Sequence, residues 1–465
     1  MHIDVTIQPG FKDKIPTVDY KGKRKWLYVF QPKGKLYRMR SLFSLIYLAA
    51  FFTFPFIKVD GNPFFLLDLT KAKFILFGKV FLPQDFILFG IGMLVFLLFV
   101  IVFTLAFGRV FCGWACPQTI FMEMVFRKIE YWIEGDANKQ RLQARNTWTT
   151  EMYLRKTLKH IAFFLFSFLI ANTFLSYIIG LDALKAIVTG NISDHLVGFI
   201  SLLFFTTVFY LVYAFVREIV CTVICPYGRL QSVLLDKNSI SVAYDYLRGE
   251  PRGKRKKQAL ETAGDCIDCN MCVNVCPTGI DIRNGTQMEC INCTACIDAC
   301  NKMMEAVQKP LHLIKYASEN NIATGAKSRF TYRIKAYSAV LVVLAGILVT
   351  LLVTRTMFDA TVLRVPGQIL QENSDGTISN LYRIKIVNKS NRKQPYHLQV
   401  MDGDAHIEFV GQALDSLAPI AETEETFFIK IPVGKIAQRK QQLRMQILSG
   451  KDIIQTKNVP FIGTY

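Results

Sequence analysis

The sequence has few of the groups that hold haem or nucleotides. Only six of its 465 residues are histidine, and it contains no C-x2-C-H motif for covalent haem attachment. His160 and His195 lie at opposite ends of two predicted spans, about 30 Å apart for about 20 helical residues, so they cannot share one iron. It has no Walker loop, and Gly90-Ile91-Gly92 lacks the third glycine of a nucleotide-binding loop. These absences argue against a haem protein and a nucleotide-dependent enzyme.

Acidic residues are also scarce. The chain has 36 Asp and Glu against 55 Lys and Arg, which gives a net charge of +19. Clustered basic residues are typical of nucleic-acid binders, but no nucleic-acid-binding motif accompanies them here. They flank apolar segments instead, where they fix membrane topology and meet anionic lipid headgroups. The charge therefore predicts membrane lipid as a partner and no nucleic acid.

Apolar residues, by contrast, make up 51% of the chain, and phenylalanine alone occurs 37 times. Because a bilayer core takes about 20 helical residues, five segments are candidates for membrane spans. They run over 42–57, 86–107, 161–179, 196–216 and 337–353. The first is short and contains Pro55. The second and fourth have no polar face for water, which argues against buried soluble helices.

Basic residues in the connections predict the orientation of these spans. Residues 1–40 hold ten Lys and Arg against three Asp and Glu. The connection after the second span is also basic, as is 217–335 with its cluster at 252–257, whereas 181–195 contains only Lys185. We therefore expect a protein of the bacterial cytoplasmic membrane, with these basic parts in the cytoplasm and the C-terminal region in the periplasm. No A-x-A-like site is present, so no cleavable signal peptide is expected.

All twelve cysteines belong to spaced motifs. Eight form two C-x2-C-x2-C-x3-C runs, the pattern of bacterial ferredoxins, in which the fourth cysteine of each run binds the other cluster. One predicted [4Fe-4S] cluster is thus held by Cys266, Cys269, Cys272 and Cys300. The second is held by Cys290, Cys293, Cys296 and Cys276, which Pro277 follows as the pattern expects.

Disulfides and zinc sites are weaker interpretations of these two runs. A disulfide-stapled loop suits a small secreted domain and not a stretch inside a long membrane chain. Paired zinc sites favour two C-x2-C pairs about a dozen or more residues apart, whereas three thiols at three-residue spacing are typical of cubane clusters. The two runs therefore predict two [4Fe-4S] clusters.

The other four cysteines form two C-x3-C-P motifs, Cys112/Cys116 and Cys221/Cys225, each directly after an apolar span. They mark an internal repeat of a helical hairpin followed by a motif. The i, i+4 spacing predicts that both thiols of a motif lie on one helix face. The proline is expected to start a new helix, over 118–132 or 227–235. If the hairpins pack as a pair, the four thiols converge.

Several chemical roles are open for these thiols. Soft thiolates favour Cu(I), and low coordination by sulfur disfavours Cu(II), so copper would be reduced and captured together. Alternatively, the cysteines pack as small apolar side chains, act as a dithiol redox pair, or bind a third iron-sulfur cluster. All of these roles remain open from the residues alone.

The region after about residue 361 contains no cysteine and alternates apolar with polar residues. The residues predicted to face inward on three strands are Tyr382, Ile384 and Ile386, then Phe427, Ile429 and Ile431, then Leu443, Met445 and Ile447. Several such strands in about 100 residues predict a β-sandwich. We expect it to dock a partner outside the membrane, or to stabilise the chain.

Motif by motif, the chain resembles the FixG/CcoG family of cytochrome c oxidase accessory proteins. The resemblance rests on residues 108–119 (GRVFCGWACPQT), on 225–231 (CPYGRLQ), and on the run 266–300 with its PTGIDIR and ECI segments. It covers nearly the whole chain, although Asn301 stands where the family usually has Asp. It implies a membrane polyferredoxin with an immunoglobulin-like tail, needed for assembly of a cbb-type haem-copper oxidase. It also implies a cupric reductase that supplies Cu(I).

Taken together, the chain is predicted to be a membrane α-helical bundle of five spans with two further domains. One is an inserted two-cluster ferredoxin-like α+β domain, and the other is a C-terminal all-β immunoglobulin-like sandwich. The predicted bounds are 1–40 for the basic N-terminus, 41–235 for the four-span region, 236–330 for the ferredoxin domain, 331–357 for the fifth span and 358–465 for the tail.

Three functions are compatible with this organisation. In the first, an unidentified donor reduces the clusters of a one-electron metalloreductase, Cu(II) is reduced at Cys112, Cys116, Cys221 and Cys225, and Cu(I) passes to a copper transporter or chaperone. In the second, the chain is a non-catalytic scaffold that holds oxidase subunits and has structural clusters. In the third, it is a quinol-linked electron conduit, like the membrane ferredoxins of nitrate and nitrous oxide respiration that share the C-x3-C-P motifs.

Overall fold

The computed structural model describes residues 23–69, 73–147, 149–253, 264–325, 331–356, 358–365, 370–402, 404–412, 414–436, 438–449 and 452–463, with positions 17, 21 and 367. Most of the predicted basic cluster, residues 254–257, lies outside them. The chain divides into two compact units. Unit 1 comprises residues 1–54, 90–176 and 181–348, and unit 2 comprises 55–89, 177–180 and 349–465.

Within the described residues, five helices are long and apolar enough to cross a membrane, as predicted. The first to fifth spans are Lys35–Phe56, Phe86–Phe107, Thr150–Ile179, Leu196–Val216 and Tyr332–Val353. The first begins earlier than predicted because the carboxylate of Asp298 accepts hydrogen bonds from its first backbone amides. The third has an additional polar start, where Lys159 forms a 2.9 Å ion pair with Glu134.

Many apolar side chains of the spans face outward. In the fifth span, for example, Val342 is 70% exposed and Val353 is 79% exposed. Contiguous apolar surface of this extent is unfavourable in water, whereas a lipid bilayer covers it without cost to the backbone, since a helix satisfies its own hydrogen bonds. The chain is therefore a membrane protein.

Short helices link the spans within unit 1. They are Val110–Trp114, Pro117–Ile120, the π-helical Phe121–Phe126, Arg127–Glu134, Ala137–Arg145, Leu181–Thr189, the π-helical Val220–Ile224 and Pro226–Leu234. Buried charges hold several of them together. Glu130 lies in the centre of one such network, with Arg217 Nη2 at 2.6 Å and Lys159 Nζ at 3.6 Å.

The segment between the fourth and fifth spans forms a small α+β insert in unit 1. Its strands Ser241–Tyr244 and Ile314–Ala317 pair antiparallel. Its α-helices are Tyr246–Gly249, Met271–Asn274, Ala295–Ala306 and Glu319–Thr324, with a 3-10 turn at Ile282–Asn284. Val242, Ile282 and Met304 are buried in one core together with cysteines of both runs. The two predicted ferredoxin runs are therefore parts of a single folded insert.

Unit 2 contains two small antiparallel sheets that follow the first span. In one, Lys58–Val59 pairs with Asn62–Pro63, and the other is a three-stranded meander of Phe65–Asp68, Lys73–Leu76 and Lys79–Phe81. Asp85, at the end of this segment, accepts from Arg355 at 2.5 Å and from Lys389 at 2.7 Å. Burial alone would raise the pKa of Asp85, but the hydrogen bonds from Lys389 and Arg355 outweigh it and hold that pKa below its ordinary value.

The rest of unit 2 is the C-terminal sandwich. One sheet contains Phe358–Arg364, Gln371–Glu372, Thr377–Asn388, His406–Phe409 and Ala421–Pro432, and the other contains His397–Val400, Lys440–Ser449 and Asp452–Ile462. Gln394–Pro395 pairs with Ser416–Leu417 beside them. Both sheets supply one core, in which Tyr382, Phe427 and Met445 are fully buried. All nine residues predicted to face inward are buried, which confirms the sandwich.

Candidate metal centres

Both ferredoxin runs have left-handed residues at the same two positions. In the first run Asp268 and Asn270 adopt left-handed φ angles of 50° and 56°, and in the second Asn292 and Thr294 adopt 54° and 66°. These are the second and fourth residues after the first cysteine of each run. Asp and Asn enter this conformation more readily than other side chains. The repeated pattern therefore curls each run into a tight loop, and a helix starts directly after it.

The insert contains two cavities, and the first lies beside the helix Ala295–Ala306. The cysteines that line it are Cys266, Cys269, Cys272 and Cys300, so the structure brings together one of the two predicted sets. Arg283, for which the sequence predicts no role, also lines the cavity. Its guanidinium donates to Asp268 and Asp281, at 2.6 Å each. Arg283 thereby ties the first ligand loop to the chain segment opposite.

The second cavity is bordered by both cysteine runs. Its wall contains the other predicted set, Cys276, Cys290, Cys293 and Cys296. Cys272 of the first set borders it as well. The two cavities are therefore neighbours, and each combines three cysteines of one run with the last cysteine of the other.

The space and the donors suit a multi-iron group better than a single ion. Within the described residues, no three His, Cys, Asp or Glu side chains come close enough together to hold one metal ion. Four thiols spread around a cavity instead leave room for a larger group, and thiolates are the usual ligands of [4Fe-4S] clusters. The residues at both cavities therefore fit such a cluster.

The thiols at both cavities are strongly buried. Burial is the largest cause that raises the pKa of Cys272, Cys290 and Cys300 to about 12 and that of Cys293 to about 11. Without metal these thiols are neutral at physiological pH. Because only the thiolate is a ligand, metal binding must displace their protons.

The C-x3-C-P motifs differ locally from the prediction that both thiols lie on one helix face. The helix Val110–Trp114 ends before Cys116, and the π-helical segment Val220–Ile224 ends before Cys225. Cys116 and Cys225 are extended, with ψ angles of 126° and 112°. A proline disfavours helix at the residue before it, which explains the break in both motifs. New helices begin at Pro117 and Pro226, close to the predicted positions.

The four thiols of the two motifs lie near one another. Burial, then the charges of Cys116, Cys112 and Cys225, raises the pKa of Cys221 to about 12. Burial likewise raises the pKa of Cys112 to about 11, with additional contributions from Cys116 and Cys225. Charge effects of this kind decay with distance, so the helical repeats bring all four thiols into one region, the thiol site.

Polar contacts cross between the two motifs at the thiol site. The Sγ of Cys112 donates to Gln231 Oε1 at 2.9 Å, and Gln231 Nε2 donates to Thr104 Oγ1 at 3.0 Å. Thr119 Oγ1 of the first motif lies 4.0 Å from Cys221 Sγ of the second. Gln231 and Thr119 belong to the helices that the two prolines begin. Each motif therefore supplies a polar side chain to the other.

The thiol site adjoins the second cavity. Cys112 packs in one buried cluster with Ile291 and Cys293, and Cys296 packs against the same cluster. Cys293 and Cys296 also line the second cavity. The fold therefore places the first C-x3-C-P motif directly beside the second cavity.

The two histidines considered for haem remain apart. His160 Nδ1 is 3.0 Å from the hydroxyl of Tyr210, near the end of the fourth span, whereas His195 immediately precedes that span. Tyr210 and His195 are 15 residues apart in the sequence, which is about 22 Å along a helix. The two histidines therefore do not meet, as predicted.

Five spans, an insert with two cysteine-lined cavities and a β-sandwich tail define a class, the membrane-bound iron-sulfur proteins. Three protein families match corresponding parts of the chain. A 4Fe-4S binding domain matches residues 89–139, a 4Fe-4S dicluster domain matches 216–319, and the IG-like fold at the C-terminal of FixG matches 348–464. The description of the FixG tail family also refers to an oxidoreductase.

The chain belongs to the FixG/RdxA/RdxB family. Protein RdxA of Cereibacter sphaeroides is 36% identical over 76% of this chain and 76% of its own length. Protein RdxB of the same organism is 31% identical over 89% of this chain and 90% of its own length. Nitrogen fixation protein FixG of Rhizobium meliloti is 29% identical over 90% and 89%. A crystal structure of a FixG-related protein from Vibrio parahaemolyticus covers 24% of this chain and 100% of its own, with 17% identity and a TM-score of 0.21.

Proposed function

We propose that this FixG-like iron-sulfur protein is a one-electron metalloreductase that reduces Cu(II) to Cu(I) at its four C-x3-C-P thiols. The observation that carries the proposal is the burial of Cys112 among residues of the second cavity. A buried redox centre beside a soft thiol site is the arrangement that such a reductase requires. An oxidoreductase function also agrees with the description of the FixG tail family.

In this proposal each cavity holds one [4Fe-4S] cluster. The ligands are Cys266, Cys269, Cys272 and Cys300 at the first cavity and Cys276, Cys290, Cys293 and Cys296 at the second. When bound, such clusters store and release single electrons. The protein contributes the buried thiols, the left-handed turns that shape the loops, and Arg283, which fixes one of them.

Copper is the substrate at the thiol site. Each Cu(II) ion gains one electron and becomes Cu(I), and a soluble one-electron carrier of the cytoplasm supplies that electron. Because no three described thiols meet closely enough for one ion, we expect two of them to bind each copper. Thiolates are soft ligands that favour Cu(I). Capture of the product therefore drives its formation.

The basic connections favour an orientation with the insert and the thiol site in the cytoplasm and the sandwich in the periplasm. Reduced copper would then be passed to a copper transporter or chaperone. The resemblance to the FixG/CcoG family suggests that this copper serves the assembly of a cbb-type cytochrome c oxidase. The periplasmic sandwich would contact oxidase subunits.

The test replaces Cys112, Cys116, Cys221 and Cys225 together by serine. Anaerobically purified wild-type protein, reduced with dithionite and freed of excess reductant, should convert Cu(II) to Cu(I), measured with a Cu(I)-specific chelator. The quadruple variant should lose this conversion because it has no soft ligand for the product. Its iron, acid-labile sulfide and cluster EPR signals should match those of the wild type.

A matched control is Thr222→Ser, which lies inside the second motif. The Thr222 hydroxyl donates to Glu218 O at 3.2 Å, and serine retains that group. The control should reduce copper at the wild-type rate. If the quadruple variant keeps its clusters and still reduces copper as fast as the control, the thiols are not the reducing site and the proposal is wrong.

A third iron-sulfur cluster at the thiol site is the second candidate. The match of a 4Fe-4S binding domain to residues 89–139, which include Cys112 and Cys116, favours it. The spacing of the thiols, too wide for three to share one ion, is also compatible with a cubane. Iron and sulfide analysis separates the candidates. The metalloreductase contains two cubanes per chain, whereas this candidate requires three, and the quadruple serine variant would then lose one third of its iron.

A further inference from the structure

We infer that Gly113 is a positioning residue that couples the thiol site to the second cavity. The absence of a side chain at Gly113 lets the backbone of the first C-x3-C-P motif lie against the ligand loop 291–293. This inference rests on the proposed function and adds to it a route, in which electrons reach the thiol site through the contact made by Cys112. Gly113 does not touch substrate and acts through its neighbours.

The contact at Gly113 is between two backbones. A Cβ atom on Gly113 would lie 2.9 Å from the amide nitrogen of Cys293 and 3.0 Å from the carbonyl carbon of Asn292, and closer still to the carbonyl oxygen of Ile291. Real Cβ atoms do not approach other atoms so closely. Since all three neighbours are backbone atoms, they cannot rotate away as a side chain would. Glycine is therefore required for this approach.

Other contacts hold the same segment in place. Arg40 is buried and donates from Nε to the carbonyl oxygen of Gly113 at 2.7 Å. Arg109 donates to the carbonyl oxygen of Met288, just before the ligand loop. Asn292 Oδ1 accepts from the amide of Val242 at 3.2 Å, which fixes the loop from the other side. The close approach is thus enforced by hydrogen bonds on both partners.

The second motif has no glycine at the equivalent position. Thr222 follows Cys221 there, and its hydroxyl bonds back to its own helical turn at Glu218. The first motif, by contrast, places Cys112 in the cluster that contains Cys293. Of two motifs with the same cysteine spacing, the first is therefore shaped to receive electrons and the second to complete the thiol site.

The test compares Gly113→Ala with Gly92→Ala. Gly92 lies in the second span, and a Cβ atom placed on it would have no neighbour within 4 Å, so alanine is tolerated there. Reduced Gly113→Ala protein should be reoxidised by Cu(II) about 10 to 100 times more slowly than the wild type, because small displacements in a transfer site have effects of this size. Gly92→Ala should match the wild type.

The second readout does not depend on copper or on bound clusters. Cys112 is 7% exposed, so it should react slowly with an alkylating reagent in the wild type and in Gly92→Ala. Gly113→Ala should expose it, giving at least a tenfold faster alkylation by mass spectrometry, in line with local opening of a packed contact. Wild-type reoxidation and alkylation rates in a Gly113→Ala protein with full iron content would overturn the inference.

If Gly113→Ala does not fold, Arg40→Lys decides the question. Lysine keeps the charge but loses the Nε donor to Gly113, so both readouts should change in the same direction by a smaller factor. Unchanged rates in Arg40→Lys would count against the inference. Failure of the proposed function is recognised separately, because the reduced wild type would then not be reoxidised by Cu(II), while the alkylation of Cys112 would still test the contact.

Discussion

The two C-x3-C-P motifs share a local structure but are held by different interactions. In both, the residue directly after the preceding span has a positive φ, 59° at Gly108 before the first motif and 55° at Arg217 before the second. The first motif is fixed by close backbone packing against the insert. The second is fixed by charge, since Arg217 binds both oxygens of buried Glu130 at 3.2 and 2.6 Å. The two copies of the repeat therefore share a positive φ before the motif but are held in place by different contacts.

The largest effect is expected from Glu130→Gln, which breaks the anchor of the second motif. Glu130 and Arg217 side chains are 5% and 3% exposed, and Lys159 lies 3.6 Å from the same carboxylate. Removing one member of a buried ion pair typically costs about 3–5 kcal/mol, because the partner charges remain buried. Unit 1 should therefore denature at a lower temperature in detergent, and Cys221 and Cys225 should be alkylated faster than in the wild type.

The matched control for Glu130→Gln is Glu151→Gln, which breaks an exposed ion pair. Arg155 Nη2 lies 2.6 Å from Glu151, but these side chains are 43% and 71% exposed. A pair of this kind on a helix surface contributes only about 0.3–0.5 kcal/mol. Equal destabilisation by the two variants would show that the Glu130 network is not what holds the second motif.

The direction of the pKa shift of Glu130 agrees with this role. Burial alone would raise its pKa, but the charges of Arg217 and Lys159 outweigh burial and lower the pKa from 4.5 to about 2. A lowered carboxyl pKa contributes stability above its unfolded value, and this contribution is lost as pH falls through the folded value. The anchor of the second motif is therefore fully present at physiological pH.

An intermediate effect is expected from Gly108→Ala, which tests the anchor of the first motif. An L-residue in the left-handed region costs about 1–2 kcal/mol. At Gly108 a Cβ atom would also lie 2.9 Å from Ile240 O and 3.0 Å from Asn292 Nδ2. Heat denaturation should show destabilisation of about 2 kcal/mol or more, since the contact adds to the strain. Arg217 also has a positive φ, and its ion pair with Glu130 offsets part of that cost.

The control for Gly108→Ala is Gly325→Ala. Gly325 has a similar φ of 67°, but no atom lies within 4 Å of a Cβ built there. Gly325→Ala should be destabilised only by its strained backbone conformation, by about 1–2 kcal/mol. If both variants lose the same stability, the packing of Gly108 against the insert contributes nothing, and the contrast between the two motifs is smaller than the structure indicates.

The sequence predicted those parts of the molecule whose signals are local. The apolar runs were sufficient to predict the five spans. The alternation at Tyr382, Ile384 and Ile386 was sufficient to predict a buried strand face. The cysteine spacing was sufficient to predict which two sets of four thiols come together. The prediction that both thiols of each C-x3-C-P motif lie on one helix face was wrong. The proline disfavours helix at the cysteine before it, and this effect outweighs the i, i+4 spacing. The anchors were not predicted, since Gly113 and Asp298 act on residues far away in sequence.

Asp298 is the clearest example of a contact between residues far apart in sequence, and its substitution has the smallest expected effect on stability. It lies in the second cysteine run, yet its carboxylate accepts from the amides of Leu36 at 3.3 Å and Tyr37 at 2.8 Å, in the first turn of the first span. A serine or aspartate at the N-cap would normally make these bonds, but that position is Gly34. A Cβ there would collide with Asp298. The insert therefore caps a helix from which it is more than 200 residues distant in sequence.

Asp298→Ala should destabilise unit 1 by about 1 kcal/mol, the usual cost of losing a helix cap. Asp298→Asn keeps an acceptor but loses the charge that favours a helix N-terminus, so its loss should be smaller. Heat denaturation and hydrogen exchange of the Leu36 and Tyr37 amides measure both changes. This anchor belongs to neither C-x3-C-P motif, so alkylation of Cys112 and Cys221 should remain at the wild-type rates. Faster alkylation of Cys112 would mean that the cap and the contact at Gly113 form a single anchor.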